Sequence, residues 1–375
     1  MFKSICIFTG GYPTKDNPEF AFIQPLARSM ADAGINVIVI CLQSISHALL
    51  SKTRIRPEKW KDVTEKGNEI IIYQPKSITF SMKAPALNRL TNTISIKRIK
   101  KKYHINPEIV YGHFWHDAIQ GSVAFPDKPL FVATGESEIW VDHVWDRKTI
   151  KKVLKRIRGV ISVSSQNVVE SRELGLLSEN PSILVAPNGI NPQVFYSYEQ
   201  EKARTKIGID KESFVGVFVG EFSNRKGSER VIEAAKEIPE LKLIMIGKGM
   251  LSESKQIIFH GVVPHDRIVD YLNAGDFFVL PTLAEGCCNA IIEAMACGLP
   301  IISSNLPFND DILNENYSIR VNPSDITQIS SAINKMRDVD LRKQMKKSVL
   351  DNAHQYTIEA RTQKIIEFID QNLGN

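Results

Sequence analysis

The sequence is poor in cysteine and contains no long hydrophobic run. Its 375 residues include five cysteines without any C-x-x-C spacing, which argues against a disulfide framework or a cysteine zinc site and favours a reducing compartment. No window of about 20 apolar residues occurs, so no membrane-spanning helix is expected. Low-complexity tracts are absent as well. With 43% hydrophobic and 24% charged residues, the composition excludes wholesale disorder, collagen and coiled coil.

The beginning of the chain also lacks a signal-peptide pattern. Residues 1–4 lead directly into the short apolar run at 5–8, which we interpret as a first strand. We therefore expect a cytoplasmic protein. At roughly 100 to 200 residues per domain, the length predicts about two domains.

Positive charge is concentrated in the first half of the chain. Residues 1–190 carry 26 basic and 17 acidic side chains, whereas residues 191–375 carry 21 and 25. Much of the excess lies in residues 96–102 (IKRIKKK) and 147–158 (RKTIKKVLKRIR). Such stretches are either solvated helix faces or surfaces that attract an anionic partner.

The second basic stretch predicts a helix with one apolar and one basic face. At roughly 1 kcal/mol for each basic residue, the basic face can hold the domain reversibly against an anionic membrane. The alternative is a surface that keeps the domain soluble or steers an acidic acceptor. The apolar face comprises Ile150, Val153, Leu154 and Ile157, and the basic face comprises Lys148, Lys151, Lys152, Lys155 and Arg156.

Short apolar runs alternate with helical patterns along the chain, which is typical of parallel sheets covered by helices. The turn-rich segment PNGINP at 187–192, followed by a polar stretch, interrupts this alternation. We predict an α/β protein with an N-terminal Rossmann-like domain at residues 1–190 and a C-terminal one at 191–355. A last helix, at 356–375, is expected to return to the first domain.

Two facing doubly wound domains place the carboxyl ends of both sheets at a cleft between them. Functional residues are therefore expected in the loops that follow the strands. Gly10 and Gly11 follow the first strand directly, where glycine lets the backbone approach a ligand closely. Because the G-x-G-x-x-G spacing is missing, a simple tight turn is an equal alternative.

Residues 277–300 carry the strongest functional pattern, which reads strand, loop, helix, strand. A helix predicted to begin near Asn289 and to end at Gly298 offers its first amides and its dipole to an anion such as phosphate. Glu293 lies about one turn into this helix, where its two oxygens can accept both hydroxyls of a ribose. Glu285 lies in the loop before the helix.

Glu285 and Glu293, within EGCCNAIIEAMACGLPII, resemble the paired glutamates of the family 4 retaining glycosyltransferases of the GT-B type. The resemblance covers nearly the whole chain and implies two facing Rossmann-like domains with a cleft between them. In such enzymes the C-terminal domain binds a nucleotide-sugar donor, and the N-terminal domain receives the acceptor. Further similar segments are YGHFWHDA at 111–118, PNGINPQVF at 187–195, GEFSNRKG at 220–227 and FHGVVPHDRIVDYLNAGDFFVLP at 259–281.

The resemblance also implies roles for individual residues. Glu293 would hold the donor ribose, Glu285 would lie beside the donor sugar, and Lys226 would bind the diphosphate. Because a fixed cation and helix amides stabilise the charge on a departing nucleoside diphosphate, no metal or other cofactor is expected. The amides that would contact phosphate and sugar belong to Gly286, Cys287, Cys288 and Asn289.

The chain departs from the family pattern in two places. Gly220-Glu221 stands where many members have Gly-Arg, so we expect Arg225 to supply the second cation. Residues 135–138 (GESE) stand where the family has His-Gly-Ser-Asp. Either the acceptor is held differently, or Glu136 or Glu138 has taken over a polar contact.

His113 matches the histidine of the family's H-[FY]-W-type segment, which follows a strand and faces the donor sugar and acceptor. His116 could pair with it on a metal, but no third ligand is evident. The tripeptide at 338–340 (DVD) lies in a charged helical stretch far from the glycine loops, which disfavours a metal site there. For Cys287 and Cys288, packing is a better interpretation than nucleophilic chemistry.

These features predict a retaining transferase that moves a sugar from a nucleotide-sugar, with UDP as the expected nucleotide, to a hydroxyl of a glycan or lipid-linked acceptor. Peripheral contact with the anionic inner face of a membrane is expected, and no nucleic-acid partner. One alternative is another GT-B activity, a phosphorylase or an epimerase. The other is a catalytically silent nucleotide-sugar-binding scaffold, which Glu221 and Gly135 leave open.

Overall fold

The computed structural model describes residues 1–14, 20–50, 55–80, 84–136 and 139–374. Its contacts divide the chain after residues 186 and 361, compared with the predicted boundaries after 190 and 355. The end of the chain groups with the first unit. The N-terminal unit comprises Met1–Val163, Asn167–Ala186 and Thr362–Asn375, and the C-terminal unit comprises Ser164–Gln166 and Pro187–Arg361.

The N-terminal unit is built on a parallel sheet with helical crossovers. Its strands are β1 (Ser4–Thr9), β2 (Asn36–Ile40), β3 (Gln43–Ser44), β4 (Lys59–Val63), β5 (Glu69–Tyr73), β6 (Lys76–Ser77), β7 (Ile109–His113), β8 (Leu130–Thr134), β9 (Ile157–Ser162) and β10 (Ser182–Val185). Eight of them form one sheet in the order β10-β9-β8-β7-β1-β2-β5-β4, in which only β4 is antiparallel, and β3 pairs with β6. Its helices are α1 (Ile23–Asp32), α2 (Ile45–Leu50), α3 (Pro85–Lys102), α4 (Trp115–Ala124), α5 (Val141–Val144), α6 (Arg147–Leu154) and α7 (Ser165–Glu173).

The C-terminal unit repeats this architecture with six strands. They are β11 (Phe214–Val219), β12 (Leu241–Ile246), β13 (Ile257–Gly261), β14 (Phe277–Leu280), β15 (Ile301–Ser304) and β16 (Ser318–Val321). They pair in parallel in the order β13-β12-β11-β14-β15-β16. The helices are α8 (Gln200–Ile207), α9 (Ser228–Ala235), α10 (Ile268–Ala274), α11 (Asn289–Ala296), α12 (Ile326–Lys335), α13 (Val339–Ala353) and α14 (Ile358–Asn372), and α14 continues into the N-terminal unit.

The apolar runs of the sequence become strands that are buried on both faces. Ile5, Cys6 and Ile7 of β1 are fully buried, as are all four residues of β14. A parallel sheet covered by helices on both sides produces this continuous burial, whereas a half-exposed strand alternates. The prediction of two Rossmann-like α/β units is confirmed.

The basic stretch at 147–158 forms a shorter helix than the sequence predicts. α6 ends at Leu154, and Ile157 instead begins β9, where it pairs with Leu130 of β8. The prediction also placed Arg156 on the outer face, which is wrong, since its guanidinium donates to the carbonyl oxygens of Ser122, Phe125 and Lys128. Of the five residues predicted on the basic face, Lys148, Lys151, Lys152 and Lys155 are exposed. Within the described ranges, no helix is long and apolar enough to cross a membrane.

Candidate active site

The loop between β14 and α11 carries the predicted anion site. Helix α11 begins at Asn289, after an extended Cys288 at its N-cap. Asn188 Nδ2 donates to Asn289 Oδ1 at 2.8 Å, which ties the turn-rich PNGINP segment to the start of the helix. Gly298 ends the helix with a φ of +80°, a conformation that favours glycine. The amides of residues 286–289 therefore lead into a helix N-terminus whose dipole favours an anion.

Three side chains converge on one carboxylate oxygen of Glu285. Its Oε1 accepts from Lys226 Nζ at 2.5 Å, from Thr282 Oγ1 at 2.8 Å and from Arg225 Nη1 at 3.3 Å. The side chains of Glu285 and Lys226 are 11% and 14% exposed, whereas that of Arg225 is 47% exposed. The Leu283 amide also donates to the Arg225 carbonyl at 2.8 Å. The loops after β11 and β14 thus bring Glu285, Lys226 and Arg225 together.

Glu293 lies in the second turn of α11 and contacts a residue that the sequence did not single out. His265, in the segment between β13 and α10, places its Nε2 2.9 Å from Glu293 Oε1. The Glu293 side chain is 7% exposed and that of His265 is 70% exposed. The hydrogen bond to the carboxylate raises the pKa of His265 above its ordinary value. One oxygen of Glu293 is therefore held from the side of the β13–α10 loop.

The glycines after β11 and β12 allow a close approach of two backbones. A Cβ on Gly247 would lie 1.8 Å from the carbonyl oxygen of Gly220. Nearby, the Phe222 amide donates to the Lys248 carbonyl at 2.7 Å. Glu221, which stands in the family's arginine position, is exposed. Loops from three neighbouring strands, β12, β11 and β14, are thus linked at the carboxyl edge of the sheet.

The adjacent cysteines of the loop are packing residues in this structure. Burial raises the pKa of the Cys287 thiol to about 11 and that of the Cys288 thiol to about 12. Cys287 Sγ also lies 3.4 Å from the Asn188 amide, which donates to it. Since the thiolate is the nucleophile of cysteine chemistry, thiols with such pKa values are unreactive at neutral pH.

In the N-terminal unit, His113 is the last residue of β7 and is buried. Its ring stacks on Phe22 at a centroid distance of 5.1 Å. His116 Nδ1 accepts from Trp145 Nε1 at 3.0 Å, and burial lowers the pKa of His116. Within the part of the chain that the structure describes, no three His, Cys, Asp or Glu side chains are grouped to hold a metal ion.

Glu136 and Asp117 bind the first turn of α4. The Glu136 carboxylate accepts from the Trp115 amide at 2.9 Å, the Thr134 hydroxyl at 2.7 Å and the Gly135 amide at 2.9 Å. Asp117 Oδ2 accepts from the Phe114 amide at 3.2 Å. Burial raises the pKa of both carboxyl groups, that of Asp117 to about 7.

The oxygens of Glu136, one of two candidates for a polar contact with the acceptor, already accept hydrogen bonds from the start of α4 and the end of β8, and an acceptor contact stays a prediction. Glu138, the other candidate in this segment, lies outside the described residues, as does Ser137.

Gly10 and Gly11 have a packing role here. A Cβ on either glycine would lie 2.6 Å from the Phe20 ring, so a larger residue at either position would force the ring to shift. Their proposed approach to a ligand stays a prediction.

The fold of this chain is similar to that of solved two-domain structures. Sucrose-phosphate synthase from Thermosynechococcus elongatus superimposes with a TM-score of 0.76 at 17% identity, covering 98% of this chain and 98% of that chain. Such a likeness shows the fold. The fold is that of a GT-B glycosyltransferase.

Family models and curated relatives give the same class. The model "Glycosyltransferase Family 4" matches residues 21–194, and "Glycosyl transferases group 1" matches residues 199–350. A putative teichuronic acid biosynthesis glycosyltransferase, TuaC of Bacillus subtilis, is 24% identical over 87% of this chain and 87% of its own. An Escherichia coli UDP-Gal:alpha-D-GlcNAc-diphosphoundecaprenol alpha-1,3-galactosyltransferase is 27% identical over 66% of this chain and 70% of its own. The chain belongs to the family 4 glycosyltransferases and is an enzyme.

Proposed function

We propose that the enzyme transfers a sugar from a UDP-sugar to a hydroxyl of a glycan or lipid-linked acceptor, with retention of anomeric configuration, in polysaccharide or glycolipid biosynthesis. The observation that carries this proposal is the convergence of Lys226 and Arg225 on Glu285, beside the N-terminus of α11. The name of the Escherichia coli relative specifies a UDP-sugar donor and a diphosphoundecaprenol-linked acceptor, which supports both choices.

The cations and the helix end suit the leaving group of this reaction. Negative charge grows on the nucleoside diphosphate as the bond to the sugar breaks, and donors fixed in advance stabilise that charge more in the transition state than in the ground state. Lys226 is nearly buried and pairs with Glu285, which places its ammonium group at the loop before α11. We propose that Lys226, Arg225 and the amides of residues 286–289 perform this task without a metal ion.

The two glutamates would act on different parts of the donor. Glu293 has one oxygen engaged by His265 and would bind the ribose hydroxyls. Glu285 Oε1 accepts hydrogen bonds from Lys226 and Arg225, and Glu285 would lie beside the transferred sugar. Binding of a diphosphate to the cations would therefore leave Glu285 free to change its partners near the sugar.

Release of nucleoside diphosphate from a panel of UDP-, GDP- and ADP-sugars, with a diphosphoundecaprenol-linked sugar as acceptor, tests the proposal. We expect release with one or more UDP-sugars, dependent on the acceptor, and a product that keeps the anomeric configuration of the donor. An excess of chelator should leave the rate largely unchanged. Release from GDP- or ADP-sugars alone, an inverted product, or chelator inhibition reversed by a divalent ion would each contradict a part of the proposal.

Glu285→Ala provides a matched test of the sugar site. This variant should lose turnover while its affinity for UDP alone changes little, since UDP lacks the sugar. Equal losses in turnover and in UDP affinity would mean that Glu285 only supports the loop. A wild-type protein that binds UDP-sugars yet releases no diphosphate would be the silent scaffold.

We also propose that the enzyme works as a cytoplasmic protein in peripheral contact with the inner face of an anionic membrane. Four exposed lysines on and just after α6 support this location: Lys148, Lys151, Lys152 and Lys155. A lipid-linked acceptor would then be reached from the membrane surface.

A further inference from the structure

Helix α3 has apolar residues on two opposite faces. Ile96 and Ile99 point inward and are fully buried in the core of the N-terminal unit. On the outer face, Leu87, Leu90 and Ile94 are 47%, 57% and 58% exposed. Their spacing of three and four residues aligns them along one stripe of the helix. Packing within the N-terminal unit explains why the inner face of α3 is apolar, but it does not explain the apolar residues of the outer stripe.

Hydrogen bonds join this stripe to other exposed apolar residues. Thr91 Oγ1 donates to the Ile78 carbonyl at 2.8 Å, and the Phe80 amide donates to Asn88 Oδ1 at 2.7 Å. Ser46 Oγ, in the first turn of α2, accepts from the Thr79 amide at 3.0 Å, which places the start of α2 beside residues 78–80. We call this surface the α3 patch; its exposed members are Leu87, Leu90, Ile94, Ile78 and Phe80.

An exposed apolar surface of several neighbouring large side chains is unusual in a soluble unit and marks an interaction site. Its basic surroundings indicate the kind of partner. Lys97 and Lys101 are exposed and continue the stripe of Leu87, Leu90 and Ile94 at helical spacing. The Ser95 hydroxyl donates to the Lys76 carbonyl at 2.8 Å, so exposed Lys76 lies beside them.

The same helical layer carries the lysines of α6. Helix α4 packs against both α3 and α6, and the inner residues of all three helices belong to one core cluster. A flat anionic surface can therefore meet apolar and basic groups of one layer. A second copy of the chain would instead bring together two units that each have a basic excess, 26 basic against 17 acidic side chains in residues 1–190.

We infer that the α3 patch inserts into the interface of an anionic lipid bilayer, with Lys76, Lys97 and Lys101 contacting the lipid headgroups. A helix that lies in the plane of the interface with apolar side chains in the lipid and lysines at the headgroups binds reversibly. This inference rests on the proposed lipid-linked acceptor for its purpose, whereas the binding itself requires no catalysis.

The location of the patch suits that purpose. Helix α3 is the connection that leads into β7, so its N-terminal half begins at the carboxyl edge of the sheet, where β7 ends with His113. In doubly wound sheets ligands bind outside this edge. Insertion of Leu87 and Leu90 brings the carboxyl edge close to the bilayer, so the headgroup of a lipid-linked acceptor can reach it.

Flotation with vesicles tests the inference. The wild-type full chain should float with vesicles of phosphatidylcholine and phosphatidylglycerol, and binding should increase with the fraction of phosphatidylglycerol. The triple variant Leu87→Ser, Leu90→Ser, Ile94→Ser should lose at least about tenfold in vesicle affinity, because three apolar side chains no longer enter the lipid. The double variant Lys97→Gln, Lys101→Gln should bind more weakly at low salt and show a smaller salt dependence.

The matched control is the triple variant Val169→Ser, Leu174→Ser, Ile183→Ser. These residues are also exposed apolar positions of the N-terminal unit, at 44%, 54% and 37%, but lie on or near α7 and β10. This control should float like the wild type. Unfolding midpoints and circular dichroism should match among all variants, since each changed side chain is exposed. If the patch variant and the control variant lost vesicle binding to the same extent relative to the wild type, the inference would be overturned.

Two further outcomes would also overturn it. The first is a patch variant that floats like the wild type. The second is a wild-type dimer that the patch variant converts to a monomer, which would assign the surface to a second copy. Nucleoside diphosphate release with a detergent-dispersed acceptor separates this inference from the proposed function. The patch variant should keep that activity, whereas a wild-type protein that floats without any transfer would refute the function alone.

Discussion

Both units place carboxylates at the carboxyl ends of their parallel strands, and the two sets have different partners. In the C-terminal unit, Glu285 contacts Lys226 and Arg225, and Glu293 contacts His265. In the N-terminal unit, Glu136 and Asp117 accept hydrogen bonds from backbone amides at the start of α4. The first set is held by side-chain cations that can exchange partners, and the second by groups that belong to the fold.

This difference indicates which acidic residues are available to a ligand. A cation beside a carboxylate can rotate toward an anionic ligand without loss of secondary structure. An amide in the first turn of a helix keeps its direction as long as the helix is folded. Partial burial raises the pKa of the Glu136 and Asp117 carboxyl groups. We therefore propose ligand chemistry for the loops that follow β11 and β14, with Lys226, Glu285 and Glu293, which we call the donor loops, and a structural role for the α4 carboxylates.

The largest effect is expected from removal of the buried cation. Lys226→Ala should reduce turnover by about 10²-fold or more, the loss typical of a group that stabilises developing charge. Arg225→Ala should cost less, because Arg225 is more exposed and lies farther from Glu285 Oε1. Steady-state rates of nucleoside diphosphate release measure both effects.

Lys236→Ala is a matched control, since this exposed lysine pairs with Glu233 at the end of α9. It should leave the rate unchanged. If Lys226→Ala retained wild-type turnover, the assignment of the leaving-group charge to this cation would be wrong. If Arg225→Ala were fully active and Lys226→Ala inactive, only the proposed role of Arg225 as the second cation would be wrong.

A smaller effect, on stability, is expected from Asp117. Burial raises the pKa of its carboxyl group from 3.8 to about 7, so the folded state holds the proton more tightly than the unfolded state. The contribution of Asp117 to the stability of the wild type should therefore fall as the pH rises from 3.8 to about 7. Asp117→Asn cannot titrate, so its stability relative to the wild type should increase over this interval.

Denaturant unfolding of both proteins at pH values across this window measures the trend. Asp142→Asn, the same change at an exposed position of α5, serves as the control to which the trend of Asp117→Asn is compared. A pH-independent difference between Asp117→Asn and the wild type would show that the carboxyl group is not buried in the folded protein.

The smallest effect concerns His265. Its hydrogen bond to Glu293 raises its pKa above the ordinary 6.5, so the pair stabilises the fold fully below that pH and less as the pH rises through the raised value. Because His265 is mostly exposed, His265→Ala should cost only about 0.5 kcal/mol. Unfolding free energies at acid and alkaline pH should show a cost that shrinks with increasing pH, and a cost that grows would contradict the assignment.

Local patterns predicted where several residues of this side-chain cluster lie, whereas their role toward a donor stays a prediction. The strand, loop and helix around Glu285 and Glu293 occur in one continuous segment, and Lys226 follows the first strand of the same sheet. His265 could not be found in this way, because its contact with Glu293 depends on how the β13–α10 segment folds over α11.

The misplacement of Ile157 and Arg156 has a related physical cause. The helical pattern of residues 147–158 is local, whereas the ladder that pairs Ile157 with Leu130 of β8 is a tertiary interaction. The carbonyls that hold Arg156 lie at the end of α4 and in the turn after it. Likewise, the sequence shows two acidic residues at Asp117 and Glu136 without showing that both bind the same helix end.

Calorimetric titration of UDP into the wild type, Glu293→Ala and Glu136→Gln tests the central distinction most directly. The wild type should bind UDP. Glu293→Ala should lose at least about tenfold in affinity, because charge-assisted hydrogen bonds to the ribose contribute about 1.5 to 3 kcal/mol each. Glu136→Gln should bind UDP like the wild type. Unchanged UDP affinity in Glu293→Ala, or an equal loss in Glu136→Gln, would contradict the assignment of ligand chemistry to the donor loops.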